Sequence, residues 1–123
     1  MRRALLSIRD RLDRVGVLLS GLCAVHCVIG ILIVSVLGLG GELLLSPVIH
    51  EVGLAIAILI GVLTLGLGAA RHGQLGPLLA GGVGVALMGA ALAAGHGLGE
   101  AVLTIAGVAI LAAAHLRNLH HAR

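Results

Sequence analysis

The composition of the chain excludes an ordinary water-soluble fold. The chain has 123 residues, of which 59% are hydrophobic and 11% are charged, and a domain of this length cannot bury so much apolar surface without lipid. The formal net charge of +3 is carried by arginine, because the eight basic residues include no lysine. These arginines lie at the ends of apolar runs, where positive charge orients membrane proteins, so we expect a lipid bilayer and not a nucleic acid as the partner.

The apolar runs predict an all-α membrane protein, a bundle of four transmembrane helices (TM1 to TM4). Each run approaches or exceeds the roughly 20 residues that cross a hydrocarbon core. Ser46-Pro47 is a typical start for TM2, and Gly76-Pro77 opens TM3. The predicted spans are TM1 15–39, TM2 47–70, TM3 77–95 and TM4 100–118.

The two ends of the chain are polar. Residues 1–14 contain five arginines and two aspartates, and we interpret them as a basic cytoplasmic flank. The alternative is a short interfacial helix, because Leu5, Ile8 and Leu12 recur at helical spacing. Residues 119–123 form a cytoplasmic tail in this interpretation.

The distribution of charge predicts the orientation. All eight arginines lie in the N-terminal flank, in the turn between TM2 and TM3 or at the C-terminal end. The two turns on the other side have no arginine and carry Glu42 and Glu100. By the positive-inside rule both termini are cytoplasmic.

Glycines recur through TM2, TM3 and TM4. Small residues let membrane helices approach closely, which predicts a tight bundle or a seam between two copies in a homo-oligomer. The alternative is a compositional bias towards small residues that serves no packing role.

Two cysteines and a histidine lie together inside TM1. Cys23 and Cys27 are four residues apart, so in a helix their Cβ atoms lie about 5–6 Å apart on one face, and His26 is near that face. Soft thiolates select soft metal ions, and a disulfide within one helix is geometrically awkward, so we expect free thiols that bind such an ion. Counted from residue 15, the pair lies ~12–18 Å along TM1, between the cytoplasmic leaflet and the midplane. The alternative is that cysteine fills the core and that His26 bonds across the bundle.

Other ionisable side chains are further candidates for the ion path. His50 and Glu51 begin TM2, and His96 and Glu100 lie at the TM3–TM4 turn, so they belong to one outer mouth. Such residues either bind an incoming ion or are solvated, and we expect Glu100 to be solvated. His115, at the cytoplasmic end of TM4, is expected to line the exit.

The run Leu19-Ser20-Gly21-Leu22-Cys23-Ala24-Val25-His26-Cys27 resembles the signature of the MerC-type membrane proteins, the mercury-resistance transport family. Further similar landmarks follow in the expected order and cover most of the chain. They are Arg14-Val15-Gly16, His50-Glu51, Arg71-His72, Leu103-Thr104-Ile105-Ala106-Gly107 and Ala114-His115-Leu116-Arg117-Asn118. The resemblance implies a four-helix protein of the bacterial inner membrane that takes up Hg(II), with Cys23 and Cys27 as its ligands.

Together these features predict a metal-ion carrier that passes Hg(II) by thiolate exchange to cytoplasmic thiols, with no resident cofactor. Handling of copper or zinc, or a non-catalytic membrane subunit, are the alternatives. A haem site at His96 and His115 is disfavoured because the two residues lie near opposite membrane faces. We expect no enzyme, because the sequence has no intramembrane carboxylate pair, no serine–histidine elbow and no phosphate loop.

Overall fold

The computed structural model of the chain describes residues 1–38, 46–95 and 98–121. Within these residues the chain forms four α-helices and no strand. They are α1 (Arg2–Leu37), α2 (Pro47–His72), α3 (Gly76–Ala94) and α4 (Leu98–His121). Each helix contains a stretch long and apolar enough to cross a membrane, which confirms the prediction of an all-α membrane protein with four spanning helices.

Local sequence explains where α2 begins and ends. Pro47 stands in its first turn, where the missing N–H and the fixed φ of proline are tolerated. Gly73 follows its last residue with a left-handed φ of 69°, and the N–H of Gly73 donates to the carbonyl oxygen of Ala69 at 3.0 Å. The predicted end of TM1 at residue 39, Glu42 and His96 lie outside the described residues.

Helix α1 is longer than the apolar run that it contains. It begins at Arg2, so the segment predicted as a basic flank is helical and continuous with the predicted span. Arg9 and Asp13 are buried, with 4% and 0% of their surface exposed, and are not solvated as a flank would be. The bundle therefore extends well below residue 15 along α1.

The four helices form a bundle in which neighbours along the chain are neighbours in space. Helix α4 contacts each of the other three helices and packs most extensively on α3 and α1. Helix α2 contacts α1 and α3, and in the described part of the chain α1 and α3 do not contact each other. Helices α1 and α3 thus lie on one diagonal of the bundle, and α2 and α4 on the other.

Glycines bring α3 and α4 into backbone contact. A Cβ atom added to Gly84 would lie 2.7 Å from the carbonyl oxygen of Gly107, and one added to Gly107 would lie 2.7 Å from that of Gly84. The prediction of tight packing is confirmed at this pair and at Gly81, which adjoins Leu65. At four other glycines a Cβ would meet open space, so close packing within one chain does not require glycine there. They are Gly61, Gly66, Gly82 and Gly89.

On α1, small and polar residues face the interior of the bundle, while large apolar side chains face outward. The buried residues of α1 follow one another at intervals of three, four or seven, as one face of a helix requires. They are Arg9, Asp13, Gly16, Ser20, Cys27 and Gly30. Leu18, Leu22 and Val25 lie on the opposite face and are about half exposed or more, as expected for side chains in contact with lipid.

Two polar layers cross the interior. We call the end of the bundle where α2 and α4 begin the upper end. The upper polar layer consists of Cys27, His50 and Glu100. The lower polar layer consists of Asp13, Thr64, His115 and Asn118, all at most 1% exposed. On α1, α2 and α4 alike the two layers are about 14–15 residues apart, or ~21 Å. An apolar cluster that includes Ala57, Val108 and Leu111 packs between them.

Candidate metal centre

The upper polar layer is built around Cys27. Its side chain faces the interior and is 3% exposed, and its Sγ atom lies 3.7 Å from Nε2 of His50. His50 belongs to the first turn of α2, so this contact joins the start of α2 to the upper half of α1. The sequence places both residues on the ion path but at different depths, whereas the structure puts them side by side.

His26 completes a group of three potential ligands. Its ring meets that of His50 edge-on, with centroids 5.8 Å apart and an interplanar angle of 63°. One donor atom from each of His26, Cys27 and His50 can be chosen so that all three lie within 4.8 Å of one another. Donors around a four-coordinate ion lie roughly 3.3–3.8 Å apart, given bond lengths of 2.0–2.3 Å, so small side-chain rotations would close the group on an ion.

The side chain of His26 carries an unpaired donor or acceptor. Its Nε2 atom is buried and has no hydrogen-bond partner among the described residues. An unpaired buried polar atom costs free energy, and binding an ion would remove that cost. This observation favours His26 as a ligand over a histidine that bonds across the bundle.

Glu100 lies behind His50. Its Oε1 atom is 2.9 Å from Nδ1 of His50, and both side chains are largely buried, at 9% and 12% exposed. The two atoms are at ion-pair distance, although they are not aligned as a hydrogen bond. A carboxylate beside Nδ1 favours the tautomer with the proton on that nitrogen, which leaves the lone pair of Nε2 directed towards Cys27. Carboxylate–histidine pairs of this kind orient ligands in many metal sites.

Cys23 lies one turn below this group. It is half-buried, and its Sγ atom is 4.0 Å from the position that a Cβ on Gly53 would occupy, which is an ordinary van der Waals distance. The three-ligand group does not include Cys23, and both cysteines are free thiols, as predicted.

A groove between α1 and α2 connects the second thiol to the ligand group. The groove has a volume of about 460 Å³, and Cys23, His26 and His50 contribute to its lining. The other lining residues are mostly apolar. An ion that enters the groove therefore meets both imidazoles and a thiol on the same wall.

The depth predicted for the cysteine pair is corrected by these contacts. Cys27 is level with the first turn of α2 and with Glu100 in the first turn of α4, so it belongs to the upper half of the bundle and not to the half that contains the amino terminus. The prediction counted from residue 15, but α1 begins at Arg2, and Asp13 is already inside the bundle.

The remaining predicted site residues are not part of the three-ligand group. Glu51 is exposed, although it follows His50 directly. His115 lies in the lower polar layer, where its Nδ1 atom is 2.7 Å from Oδ1 of Asp13. Its distance from Cys27, about 21 Å along the helices, separates it from the ligand group.

Sequence reasoning missed Glu100 and Asp13. The expectation that Glu100 is solvated is wrong, because the residue is 8% exposed and paired with His50. One signal was available, since both carboxylates share a helical face with other small or polar residues at intervals of three and four. On α4 these residues are Glu100, Thr104 and Gly107 and, eight residues further on, His115 and Asn118. In a membrane helix such a stripe marks the side that faces the protein.

Comparison with known proteins identifies a family. The family model described as the MerC mercury resistance protein matches residues 13–120, which is most of the chain. No curated protein and no solved structure gives a significant match. The matched region includes the three-ligand group, Cys23 and both polar layers.

Proposed function

This chain belongs to the MerC mercury resistance protein family, and from that premise we propose that it carries Hg(II) across the bacterial inner membrane by thiolate exchange at Cys27 and Cys23. The observation that supports this most directly is the contact of Cys27 with His50, beside His26, at the edge of an open groove. It joins a soft sulfur ligand to two nitrogen ligands at one end of the bundle.

Capture begins at Cys27 in this proposal. An Hg(II) complex in the groove first meets His26 and His50, which line it. It then exchanges one of its ligands for the sulfur of Cys27, which is buried beside His50, and the thiol proton leaves with the displaced ligand. His26 and His50 hold the ion during the exchange, and Glu100 keeps His50 oriented through Nδ1. The group therefore favours an ion that accepts both sulfur and nitrogen.

Transfer continues to Cys23. Its Cβ lies about 5–6 Å from that of Cys27 on the same helical face, so both sulfurs can bind one ion. A complex of two thiolates with Hg(II) is neutral, which lowers the cost of holding the ion away from water. Two cytoplasmic thiols then displace the two cysteines in turn, each giving its proton to the thiolate that it replaces, and take the ion.

The direction of transport rests on the arginine distribution. With both termini in the cytoplasm, the upper polar layer faces the outside and the lower polar layer faces the cytoplasm. The ion would enter by the groove beside His50 and leave past Cys23.

Zinc or copper handling is the second candidate. The pairing of His50 with a buried carboxylate, next to a second imidazole and one thiol, is a donor set that also suits Zn(II) and copper ions. The two candidates differ in the role of Cys23, because Hg(II) requires thiolates and a nitrogen-rich Zn(II) site does not.

Substitution of the cysteines tests the proposal. We expect Cys27→Ser to abolish Hg(II) uptake and Hg(II) hypersensitivity in cells that express the chain, and Cys23→Ser to abolish uptake while some binding remains. His120→Ala is the matched control, because this histidine is exposed at the end of α4. Unchanged uptake in the double serine variant would overturn the proposal. Competition among Hg, Cu, Zn and Cd for the purified protein, read by native mass spectrometry, separates the two candidates.

A further inference from the structure

The lower polar layer ties three helices together through a continuous set of contacts. Oδ1 of Asp13 lies 2.7 Å from Nδ1 of His115, and the side-chain amide of Asn118 donates to Oδ2 of Asp13 at 2.8 Å. The same amide donates to the carbonyl oxygen of Thr64 at 3.2 Å, while Nε2 of His72 lies 3.0 Å from Oδ1 of Asn118. Helices α1, α2 and α4 are therefore joined at one level.

Two glycines make room for this cluster. A Cβ on Gly16 would lie 2.6 Å from Nε2 of His115, and a Cβ on Gly68 would collide with the side chain of Asn118. The ring and the amide thus occupy space that only glycine leaves free. The two glycines therefore leave space inside the bundle that fits the His115 ring and the Asn118 amide.

The cluster lies directly below the second cysteine. A narrow cavity continues from Cys23 between α1, α2 and α4 to His115, and its volume is about 10 Å³. A single water needs about that much space, so neither a thiol nor a ligated metal ion fits. Among the described residues, this cavity is therefore too narrow to let a thiol reach Cys23 from the lower end.

We propose that Asp13, His115 and Asn118 form the inner gate of the ion path, and that an acceptor thiol reaches Cys23 only when the Asp13–His115 contact breaks and α1 separates from α4. This inference rests on the proposed transport function, since it specifies how the bound ion is released. It assigns a transport role to Asp13 and Asn118, neither of which is a ligand of the ion.

The chemistry of the cluster favours a gate over a second ion site. Its polar atoms are a carboxylate, imidazoles and an amide, already bonded to one another, and it contains no sulfur. A soft ion held by thiolates gains little by moving to such ligands. Buried ionic groups also add little net stability compared with apolar packing, so the fold alone does not require them here.

Accessibility of Cys23 to a membrane-impermeant maleimide tests the gate. The full chain with Cys27→Ser, in which Cys23 is the remaining thiol, is reconstituted in liposomes, and cleavage of an amino-terminal tag by added protease reports which way each molecule faces. Labelling from the side of the termini is compared with labelling from the opposite side, which measures the intrinsic reactivity of Cys23. We expect slow labelling from the side of the termini, and Asp13→Ala to raise its rate at least about tenfold, because removal of one partner destabilises a buried pair strongly.

A pair of glycine variants keeps the test decisive if Asp13→Ala does not fold. Gly68→Ala displaces Asn118, whereas Gly66→Ala on the same helix places its Cβ in open space. Both variants gain the same helix propensity, so only the first should speed labelling from the side of the termini.

The outcomes separate the gate from the proposed function. Equal, slow labelling in Gly68→Ala and Gly66→Ala would overturn the gate, as would rapid labelling of the Cys27→Ser chain from the side of the termini. Hg(II) uptake by the unsubstituted chain is measured in parallel, and its absence would overturn the transport function while the labelling rates still report on the gate.

Discussion

Glu100 provides the most direct test of how the upper polar layer works. Its carboxylate lies 2.9 Å from Nδ1 of His50, the ring nitrogen that does not face Cys27, and so orients that ring. Glu100→Gln keeps the shape of the side chain and removes its charge. Glu100→Ala removes the contact altogether.

The expected loss follows from the role of an orienting partner. Removal of such a partner typically weakens metal binding 10–100-fold. A glutamine keeps the contact with Nδ1 but loses the charge, and a neutral partner interacts about half as strongly as a charged one, so we expect about tenfold weaker Zn(II) binding for Glu100→Gln. For Glu100→Ala we expect about a hundredfold, or ~2.8 kcal/mol at 1.4 kcal/mol per decade.

Two competition assays measure the effect on purified protein in detergent. Zn(II) is titrated against a chromophoric chelator, and Hg(II) against a soluble thiol. We expect the smaller loss for Hg(II), because the thiolates dominate its binding. Glu51→Gln is the matched control, since Glu51 carries the same charge next to His50 but is exposed, and its effect should stay within twofold. Equal losses in Glu100→Gln and Glu51→Gln would refute the orienting role.

Two further predictions concern stability and its relation to the site. Gly84→Ala should lower the free energy of unfolding by about 1–3 kcal/mol, because its Cβ would collide with the backbone of Gly107. Gly82→Ala is the control, since its Cβ meets open space and should leave the stability unchanged. Thermal unfolding in detergent compares the two variants. His26→Leu should stabilise the metal-free protein by about 1 kcal/mol, because it removes a buried Nε2 that has no partner among the described residues. The same variant should retain Zn(II) less well. A variant that lost both stability and Zn(II) retention would argue that His26 has only a packing role.

Much of the fold could be predicted from local sequence. The length of each apolar run gave the four helices, and Pro47 and Gly73 mark the ends of α2 through their backbone preferences. The start of α1 could not be read in the same way. Arginines and aspartates break the hydropathy signal at residues 2–14, but they do not break the helix, and tertiary contacts bury Asp13.

The candidate site was predicted in part. Spacings of three and four residues from Cys23 predicted that His26 and Cys27 lie near one face of TM1, but the three-ligand group contains His26 and Cys27 without Cys23. The position of His50 against Cys27 depends on how far α1 and α2 are shifted along each other, which packing determines and hydropathy does not. Glu100 was misjudged for the same reason, since a carboxylate near a helix start is usually solvated unless a distant residue covers it.

The short third helix has a consequence for the membrane around the protein. Its 19 residues span only about 28 Å, slightly less than a typical hydrocarbon core, while α1 is nearly twice as long. The bilayer beside α3 is therefore expected to thin locally. The ends of α1 extend beyond the hydrocarbon core into the headgroup region. The length of the lipid acyl chains then affects the whole bundle. A thicker bilayer would place the two polar layers deeper in the hydrocarbon, and a thinner bilayer would bring them closer to water.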